Sequence, residues 1–293
     1  MRRGRAFTAW ITVTAVAAAL LVGGGIWVSN YLKDAFAPGL SVGCTAAVGT
    51  ASFRLTTEQA QNAALISAIS VQRGMPARAA SIALATALQE SKLRNIDYGD
   101  MDSVGLFQQR PSQDWGTAQQ IMDPVYSTNA FYDALDKVDG YVDMPLNDAA
   151  QIVQRSAFPH AYAQHEDLSR AFASALTGQT PATFSCTLPA ATTAGSPQDL
   201  ETSIHAELGQ IPVTSGGSAA NVQLAVTDSV GWAAAQWAVA NASALGITAV
   251  SYDGQEWDRA ANDSGTNVGW KPAKDPSPAG QVTVLLATAP AAP

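Results

Sequence analysis

The sequence has few of the residues that usually hold metals or nucleic acids. Its 293 residues include three histidines, two cysteines and 16 Lys plus Arg against 24 Asp plus Glu, a formal net charge of −8. Because an acidic surface repels phosphate backbones, the composition argues against nucleic acid as a partner. The sequence also has no phosphate-binding loop and no nucleophile elbow. Nucleotide-dependent and serine-hydrolase chemistry are therefore not expected.

The histidines do not form a metal-binding pattern. His160 and His165 are five residues apart, which is a poor spacing for one helix face, and we interpret them as a surface pair. His205 is the only histidine in the C-terminal part, which has no cysteine, so an ordinary zinc site cannot be assembled there. We expect neither a metal ion nor another cofactor.

Charge is absent from residues 6–32. A helix of that length reaches about 40 Å and crosses a hydrocarbon core of roughly 30 Å with some tilt. Three arginines within the first five residues favour a cytoplasmic N-terminus. Residues 1–37 are therefore predicted to be a basic tip and a single-pass anchor in the cell membrane, contacting lipid through 6–32, with the remainder extracytoplasmic. The alternative is a cleaved signal peptide, for which Ala35-Phe36-Ala37 offers a small-x-small pattern and which would make the protein secreted.

The two cysteines, Cys44 and Cys186, both follow this segment. An even count outside the cytoplasm favours a disulfide, although two buried free thiols are the alternative. The chain-entropy model gives such a long loop roughly 4–5 kcal/mol of stabilisation. The pair brackets one region, and we predict a domain over residues 44–186.

That region has helical patterns and no strong strand pattern between 55 and 180. Thr56 and Gln59 have the capping-box spacing of a helix start, and a second helix is predicted from Pro76 to about Ser91. Residues 187–197, rich in Pro, Ala, Thr and Gly, are typical of a linker. Residues 198–293 alternate helical and strand-like runs. The predicted fold class is therefore multidomain: a transmembrane helix, a mainly α domain and a small C-terminal α/β domain.

The pattern most informative about chemistry lies between residues 83 and 109. An apolar helix ends in Glu90-Ser91, and after an irregular loop comes Ser103-Val104-Gly105-Leu106-Phe107-Gln108. A carboxyl group at the end of a buried helix loses solvation, so its pKa is raised and it can keep a proton near neutrality. Such an acid can donate a proton to a leaving sugar oxygen. A lone Glu at a helix end is more often a solvated surface residue. The interpretation of Glu90 as an acid therefore depends on its pairing with the motif at residues 103–108.

This pair of patterns resembles that of the soluble lytic transglycosylase and goose-type lysozyme family, whose members cleave peptidoglycan. The resemblance covers about 110 residues and implies a lysozyme-like fold for residues 44–186. It makes Glu90 the single catalytic acid/base and glycan strands the partner. Ser91, Ser103, Gly105, Leu106, Phe107 and Gln108 would then bind substrate. Protein partners are not indicated by the sequence.

One family element is missing. Lytic transglycosylases carry a further Ala-Tyr-Asn-x-Gly stretch, where this chain has Ala150-Gln151-Ile152-Val153-Gln154, although Tyr162 could supply a ring near the cleft. Two functions therefore stay open: an enzyme, or a weakly active or inactive glycan-binding scaffold. Hydrolysis is the alternative to the lytic reaction, because Asp97, Asp100 and Asp102 could supply a second carboxylate.

The C-terminal part shows a weaker resemblance, to a small secreted module of actinobacterial cell-wall proteins. The residues that carry it are Trp232, Gln236, Trp237, Asn241, Trp257 and Trp270, with the runs 245–247 and 250–254. Its last strand, Gly280–Leu285, has no histidine. We predict a non-catalytic targeting or interaction domain, whose tryptophans pack in a core or, alternatively, stack on sugar rings.

Overall fold

The computed structural model describes residues 42–156, 160–215, 220–263 and 267–288. Val42–Pro293 forms one compact unit. The anchor predicted within residues 1–37, and its alternative cleavage pattern, lie outside the described residues. Within the described ranges, no helix is both long enough and apolar enough to cross a membrane.

Eight α-helices occur in the described residues. They are α1 (Thr57–Gln72), α2 (Ala77–Ser91), α3 (Ala118–Ile121), α4 (Pro124–Leu135), α5 (Leu146–Gln154), α6 (Glu166–Leu176), α7 (Pro197–Glu207) and α8 (Asp228–Ala240). The capping box predicted for α1 is confirmed: Thr56 Oγ1 accepts the N–H of Gln59 at 3.2 Å, and Gln59 Oε1 accepts the N–H of Thr56 at 3.0 Å. The predicted second helix is α2, which begins directly after Pro76.

Nine strands in the described residues form two antiparallel sheets. They are β1 (Gly43–Val48), β2 (Ala51–Leu55), β3 (Phe184–Thr187), β4 (Val213–Ser215), β5 (Asn221–Ala225), β6 (Ile247–Tyr252), β7 (Gln255–Asp258), β8 (Lys271–Pro272) and β9 (Gln281–Leu286). The first sheet has the order β2-β1-β3, and the second has the order β4-β5-β9-β6-β7-β8.

The smaller sheet joins the two ends of the helical region. Cys44 of β1 lies directly opposite Cys186 of β3 in the antiparallel register. The two residues form a disulfide and are fully buried. The predicted disulfide is therefore confirmed.

Helix α8 lies at the centre of the described part and is buried on all sides. Every residue from 231 to 240 is buried. The helix packs against β6 and β9 of the large sheet, and also against α1 and α6 of the helical region. A helix that is apolar all round belongs inside a core, which explains why α8 unites the two regions.

Gln236 ties α8 to the helical region through the backbone. Its Oε1 accepts the N–H groups of Thr183 and Phe184 at 3.1 and 2.9 Å, and its Nε2 donates to the carbonyl of Ala175 at 2.6 Å. At Gly178, with φ +76°, the chain approaches the first turn of α8 so closely that a Cβ would collide with backbone. Both contacts require the two regions to be packed together.

The predicted linker forms hydrogen bonds with the C-terminal part near both of its ends. The N–H of Leu188 donates to the carbonyl of Asn262 at 2.9 Å, and Arg259 Nε donates to the carbonyl of Pro189 at 2.7 Å. The N–H of Gly195 donates to the carbonyl of Ala287 at 2.9 Å. The predicted linker is therefore a connection whose backbone hydrogen-bonds to the C-terminal part.

The predicted fold class is wrong. The described chain is not a mainly α lysozyme-like domain followed by a small α/β domain, because eight helices and two antiparallel sheets share one compact unit. The physical reason is α8, which is covered by the large sheet on one side and by α1 and α6 on the other. The predicted transmembrane helix is not seen among the described residues, and its span lies outside them.

The four tryptophans of the C-terminal part are core residues. Trp232, Trp237, Trp257 and Trp270 are all buried, and the rings of Trp232 and Trp270 meet edge to face at 5.4 Å. None of them is available to stack on a sugar in this structure.

Candidate active site

Glu90 lies in the last turn of α2, at the point where the helix emerges from the core. Eleven of the helix's 15 residues are buried, and many of them are alanines that allow α6 to pack closely. The next two residues, Lys92 and Leu93, both have φ of +56° and turn the chain away from the helix axis. Glu90 is consequently half-buried on a fixed backbone.

Two side chains from distant segments meet the Glu90 carboxyl. Tyr162 donates its phenolic hydrogen to Glu90 Oε1 at 2.8 Å. Gln154, the last residue of α5, donates its Nε2 to the carbonyl of Phe107 at 2.8 Å and also acts on the carboxyl as a hydrogen-bond donor. Burial raises the pKa of Glu90 above its usual value, and these two hydrogen bonds partly oppose the rise. The result is a carboxyl group that keeps its proton to a higher pH than an exposed glutamic acid does.

Ser91 connects the helix to the second sequence motif. Its Oγ donates to the carbonyl of Leu106 at 2.7 Å in a buried position. A hydroxyl used in this way holds the loop over the end of α2, and its side chain is not among those that line the cleft. The structure thus places the two motifs together.

The second motif forms a tight turn whose apolar residues point into the core. Gly105 has φ +81°, and a Cβ there would lie 2.8 Å from the carbonyl oxygen of Ile121. Leu106 and Phe107 are fully buried, and Phe107 stacks on Phe131 with ring centroids 4.6 Å apart. These side chains, predicted to bind substrate, support the loop from below instead of facing solvent.

The other residues of that motif border the open side. Ser103 is nearly buried but contributes to the cleft wall, as does Gln108. Gln108 Nε2 donates to the carbonyls of Tyr98 and Gly105, each at 3.3 Å. Gln108 therefore fixes residues 97–102, the acidic loop that carries Asp97, Asp100 and Asp102, against the motif.

Glu90 opens into a cleft of about 1080 Å³. Residues from the acidic loop, the turn after α4 and the end of α5 line it: Glu90, Asp100, Ser103, Gln108, Arg110, Gln113, Trp115, Ala134, Lys137, Val138, Ile152, Val153, Gln154, Arg155 and Ser156. This volume lies at the upper end of the range of ligand-binding clefts.

The three aspartates of the adjoining loop have different surroundings. Asp102 accepts Arg110 Nε at 2.9 Å and the N–H and hydroxyl of Ser112 at 2.8 and 3.0 Å. These donors lower the pKa of Asp102 to about 2, so it is a permanently ionised clamp within the loop. Of the three, Asp100 alone is a wall residue of the cleft.

Sequence reasoning missed several wall residues. Trp115 is half-buried and its carbonyl accepts the hydroxyl of Tyr126 at 3.3 Å. Lys137 and Arg155 bring positive charge, and Gln154 bonds Glu90 directly. An aromatic residue beside glycine in a polar loop was the one available signal for Trp115. Lys137 and Arg155 have no local motif.

Neither His160 nor His165 is a wall residue of the cleft. His165 Nε2 is 3.1 Å from Gln89 Oε1, on the helix that carries Glu90, and His160 is exposed. In the part of the chain that the structure describes, no group of three or more His, Cys, Asp or Glu side chains is placed to hold a metal ion.

No family model matches the chain, and no curated protein matches it either. The resemblance to lytic transglycosylases therefore stays a prediction that rests on the quoted motifs.

Proposed function

We propose that this protein cleaves the glycan strands of peptidoglycan outside the cytoplasm, with Glu90 as its single acid/base. The observation that carries the proposal is the Glu90 carboxyl at the wall of the cleft, half-buried, raised in pKa and held by Tyr162 and Gln154. A carboxyl that stays protonated and faces a large open cleft has the properties of a general acid for glycosidic oxygen.

The first step requires Glu90 to donate its proton to the glycosidic oxygen as the bond to the anomeric carbon breaks. The neighbouring N-acetyl group of the sugar stabilises the positive charge at that carbon. The Glu90 carboxylate then removes the proton from the 6-hydroxyl of the same sugar. The oxygen of that hydroxyl bonds to the anomeric carbon and closes an anhydro ring. Glu90 ends in its starting protonation state, so one carboxyl suffices.

A hydrolytic reaction would need a second carboxylate that positions a water molecule. Asp100 is the other carboxyl on the cleft wall, whereas Asp102 is occupied by Arg110 and Ser112. The lytic route is proposed because it needs only Glu90, the one carboxyl on the cleft wall whose pKa is raised.

The buried disulfide supports a location outside the cytoplasm. Bonds such as Cys44–Cys186 persist in oxidising compartments and are rare in the cytosol. Peptidoglycan lies in such a compartment, so the redox chemistry and the proposed substrate agree.

The test is digestion of peptidoglycan in water enriched in oxygen-18, followed by mass analysis of the soluble fragments. The full chain, its Glu90→Gln variant and the control Glu201→Gln, an exposed glutamate on α7, would be compared. Unlabelled anhydro ends from wild type and control, and none from Glu90→Gln, are expected. Labelled reducing ends would show hydrolysis instead. Co-sedimentation with peptidoglycan without any release would contradict the enzyme and favour the glycan-binding function.

A further inference from the structure

The cleft contains more positive charge than the composition of the chain suggests. The chain has a formal charge of −8, yet three cationic side chains, Arg110, Lys137 and Arg155, line the cleft beside two acidic ones, Glu90 and Asp100. Glu90 is uncharged whenever it holds the proton that the proposed reaction needs. In that state the wall carries three positive charges and one negative charge.

Arg110 is already neutralised. Its Nε donates to Asp102 Oδ1 at 2.9 Å, and Asp102 is fully ionised because its pKa is lowered to about 2. Lys137 and Arg155 differ: among the described residues, neither side chain forms an ion pair or a hydrogen bond. Asp136 and Asp139, which flank Lys137, are not wall residues of the cleft. Two exposed cations on the cleft wall are therefore available to bind an anionic ligand.

The backbone under each of these cations is fixed. Arg155 caps α5 with φ +52°, its N–H donating to the carbonyl of Gln151 at 2.8 Å. It directly follows Gln154, which bonds Glu90. Lys137 lies in the turn after α4, its N–H donating to Ala134 at 3.3 Å, and it precedes the buried Val138. The backbone that carries both cations is therefore held at the wall of the cleft that contains Glu90.

We propose that Lys137 and Arg155 form an anion subsite that binds a carboxylate carried by the glycan substrate. A guanidinium fork and an ammonium group are the side chains that recognise carboxylates. The inference rests on the proposed function, because it places the subsite beside the sugar whose bond Glu90 cleaves. It names the residues that would make the site prefer glycan strands with carboxylates on the sugar or its peptide over neutral N-acetylglucosamine oligomers.

The test is binding, which is measured separately from cleavage. The full chain carrying Glu90→Gln is titrated calorimetrically with a neutral N-acetylglucosamine oligomer and with a peptidoglycan oligomer of equal sugar number that bears carboxylates. The carboxylate-bearing oligomer is expected to bind about fivefold to tenfold more tightly at low salt, as two partly exposed charge pairs would give. The preference is expected to decrease as salt is added.

Adding Lys137→Gln and Arg155→Gln to that chain should abolish the preference without changing the affinity for the neutral oligomer. The matched control adds Lys271→Gln and Lys274→Gln, which neutralise two exposed lysines that do not line the cleft. Equal affinities in the parent chain, binding of neither oligomer, or a preference that survives the cleft double substitution would each overturn the inference. Thermal unfolding of each variant verifies that it is folded.

Cleavage assays distinguish a failure of the anion subsite from a failure of the proposed function. If wild type cleaves peptidoglycan but the parent chain binds both oligomers equally, the subsite is wrong and the proposed function stands. If the charge preference is found but Glu90→Gln cleaves as fast as wild type, the proposed function is wrong although the cations bind a carboxylate.

Discussion

The phenolic hydroxyl of Tyr162 donates a hydrogen bond of 2.8 Å to Oε1 of Glu90, from a residue 72 positions further along the chain. Tyr162 is fully buried, and its own pKa is raised by burial and by the carboxylate, so it stays a neutral donor. Its bond stabilises the ionised form of Glu90 and opposes the desolvation that favours the protonated form. The pair sets how readily Glu90 gives up its proton.

Removing that donor should move the pH dependence of cleavage. In Tyr162→Phe the carboxylate loses a hydrogen bond, so the pKa of Glu90 rises further and the acid stays protonated to a higher pH. The alkaline limb of the kcat/KM profile, where Glu90 loses the proton that it must donate, is therefore expected to shift to higher pH. Rates of fragment release measured from pH 4 to pH 9 test this.

Tyr126→Phe is the matched control, because its hydroxyl bonds the backbone of Trp115 and not Glu90. It should leave the pH profile in place. A Tyr162→Phe enzyme that is slower at every pH with unchanged limbs would show that the tyrosine has only a structural role.

Ser91 is expected to stabilise the fold around the site. Ser91→Ala leaves the carbonyl of Leu106 without its buried donor, which should lower the free energy of unfolding by about 1–3 kcal/mol. Urea unfolding followed by circular dichroism measures the change. The exposed Ser229→Ala should stay within about 0.5 kcal/mol of wild type. Equal stabilities for the two variants would mean that the Ser91 tether contributes nothing.

Trp115 is expected to contact sugar rings in the cleft. In the Glu90→Gln chain, Trp115→Ala should weaken binding of a peptidoglycan oligomer about tenfold, because truncating an aromatic anchor commonly costs more than 1 kcal/mol. Tyr98→Ala removes an aromatic residue that is 67% exposed and does not line the cleft, so it serves as the control. Calorimetry that finds the same affinity for both variants would exclude Trp115 from the binding surface.

A second half-buried acid, Glu207, should make stability depend on pH. Burial raises the pKa of Glu207 to about 7, although Trp237 Nε1 donates to it at 2.6 Å. Because the native state holds this proton more tightly than the unfolded chain, its contribution to stability is present below pH 4.5 and is lost as pH rises through about 7.

Glu207→Gln keeps an acceptor for Trp237 but carries no charge. The variant should be more stable than wild type at pH 8, by up to roughly 3 kcal/mol, since each pKa unit corresponds to about 1.4 kcal/mol. Near pH 4 the two should converge. Denaturation at both pH values measures the difference, and a gap that does not change with pH would show that Glu207 titrates normally.

The local parts of the fold were predictable from sequence. The capping box of Thr56 and Gln59 predicted the start of α1, and the last strand expected at Gly280–Leu285 corresponds to β9. The hairpin of β1 and β2 was not predicted, and neither was the pairing of β1 with β3, a four-residue strand about 140 residues away. Their pairing depends on tertiary context, which only the two cysteines indicated.

The sequence predicted which backbone segments meet at the candidate site. It predicted less well which of their side chains face the cleft. The spacing of Glu90 and the 103–108 motif brought the right segments together. It could not show that Leu106 and Phe107 fill the core, because an apolar side chain in a loop fits a cleft or a core equally well until its neighbour, Phe131, is known. Gln154 was not predicted as a site residue, because no neighbouring sequence motif identifies it as a partner of Glu90.

The most direct test of the central claim is the initial rate of peptidoglycan cleavage by wild type and by Glu90→Gln at the same pH. The loss of a general acid is expected to lower the rate about 100-fold to 10,000-fold, with thermal unfolding unchanged or slightly higher because an isosteric neutral group replaces a half-buried acid. Equal rates for the two proteins would contradict the assignment of Glu90 as the acid/base.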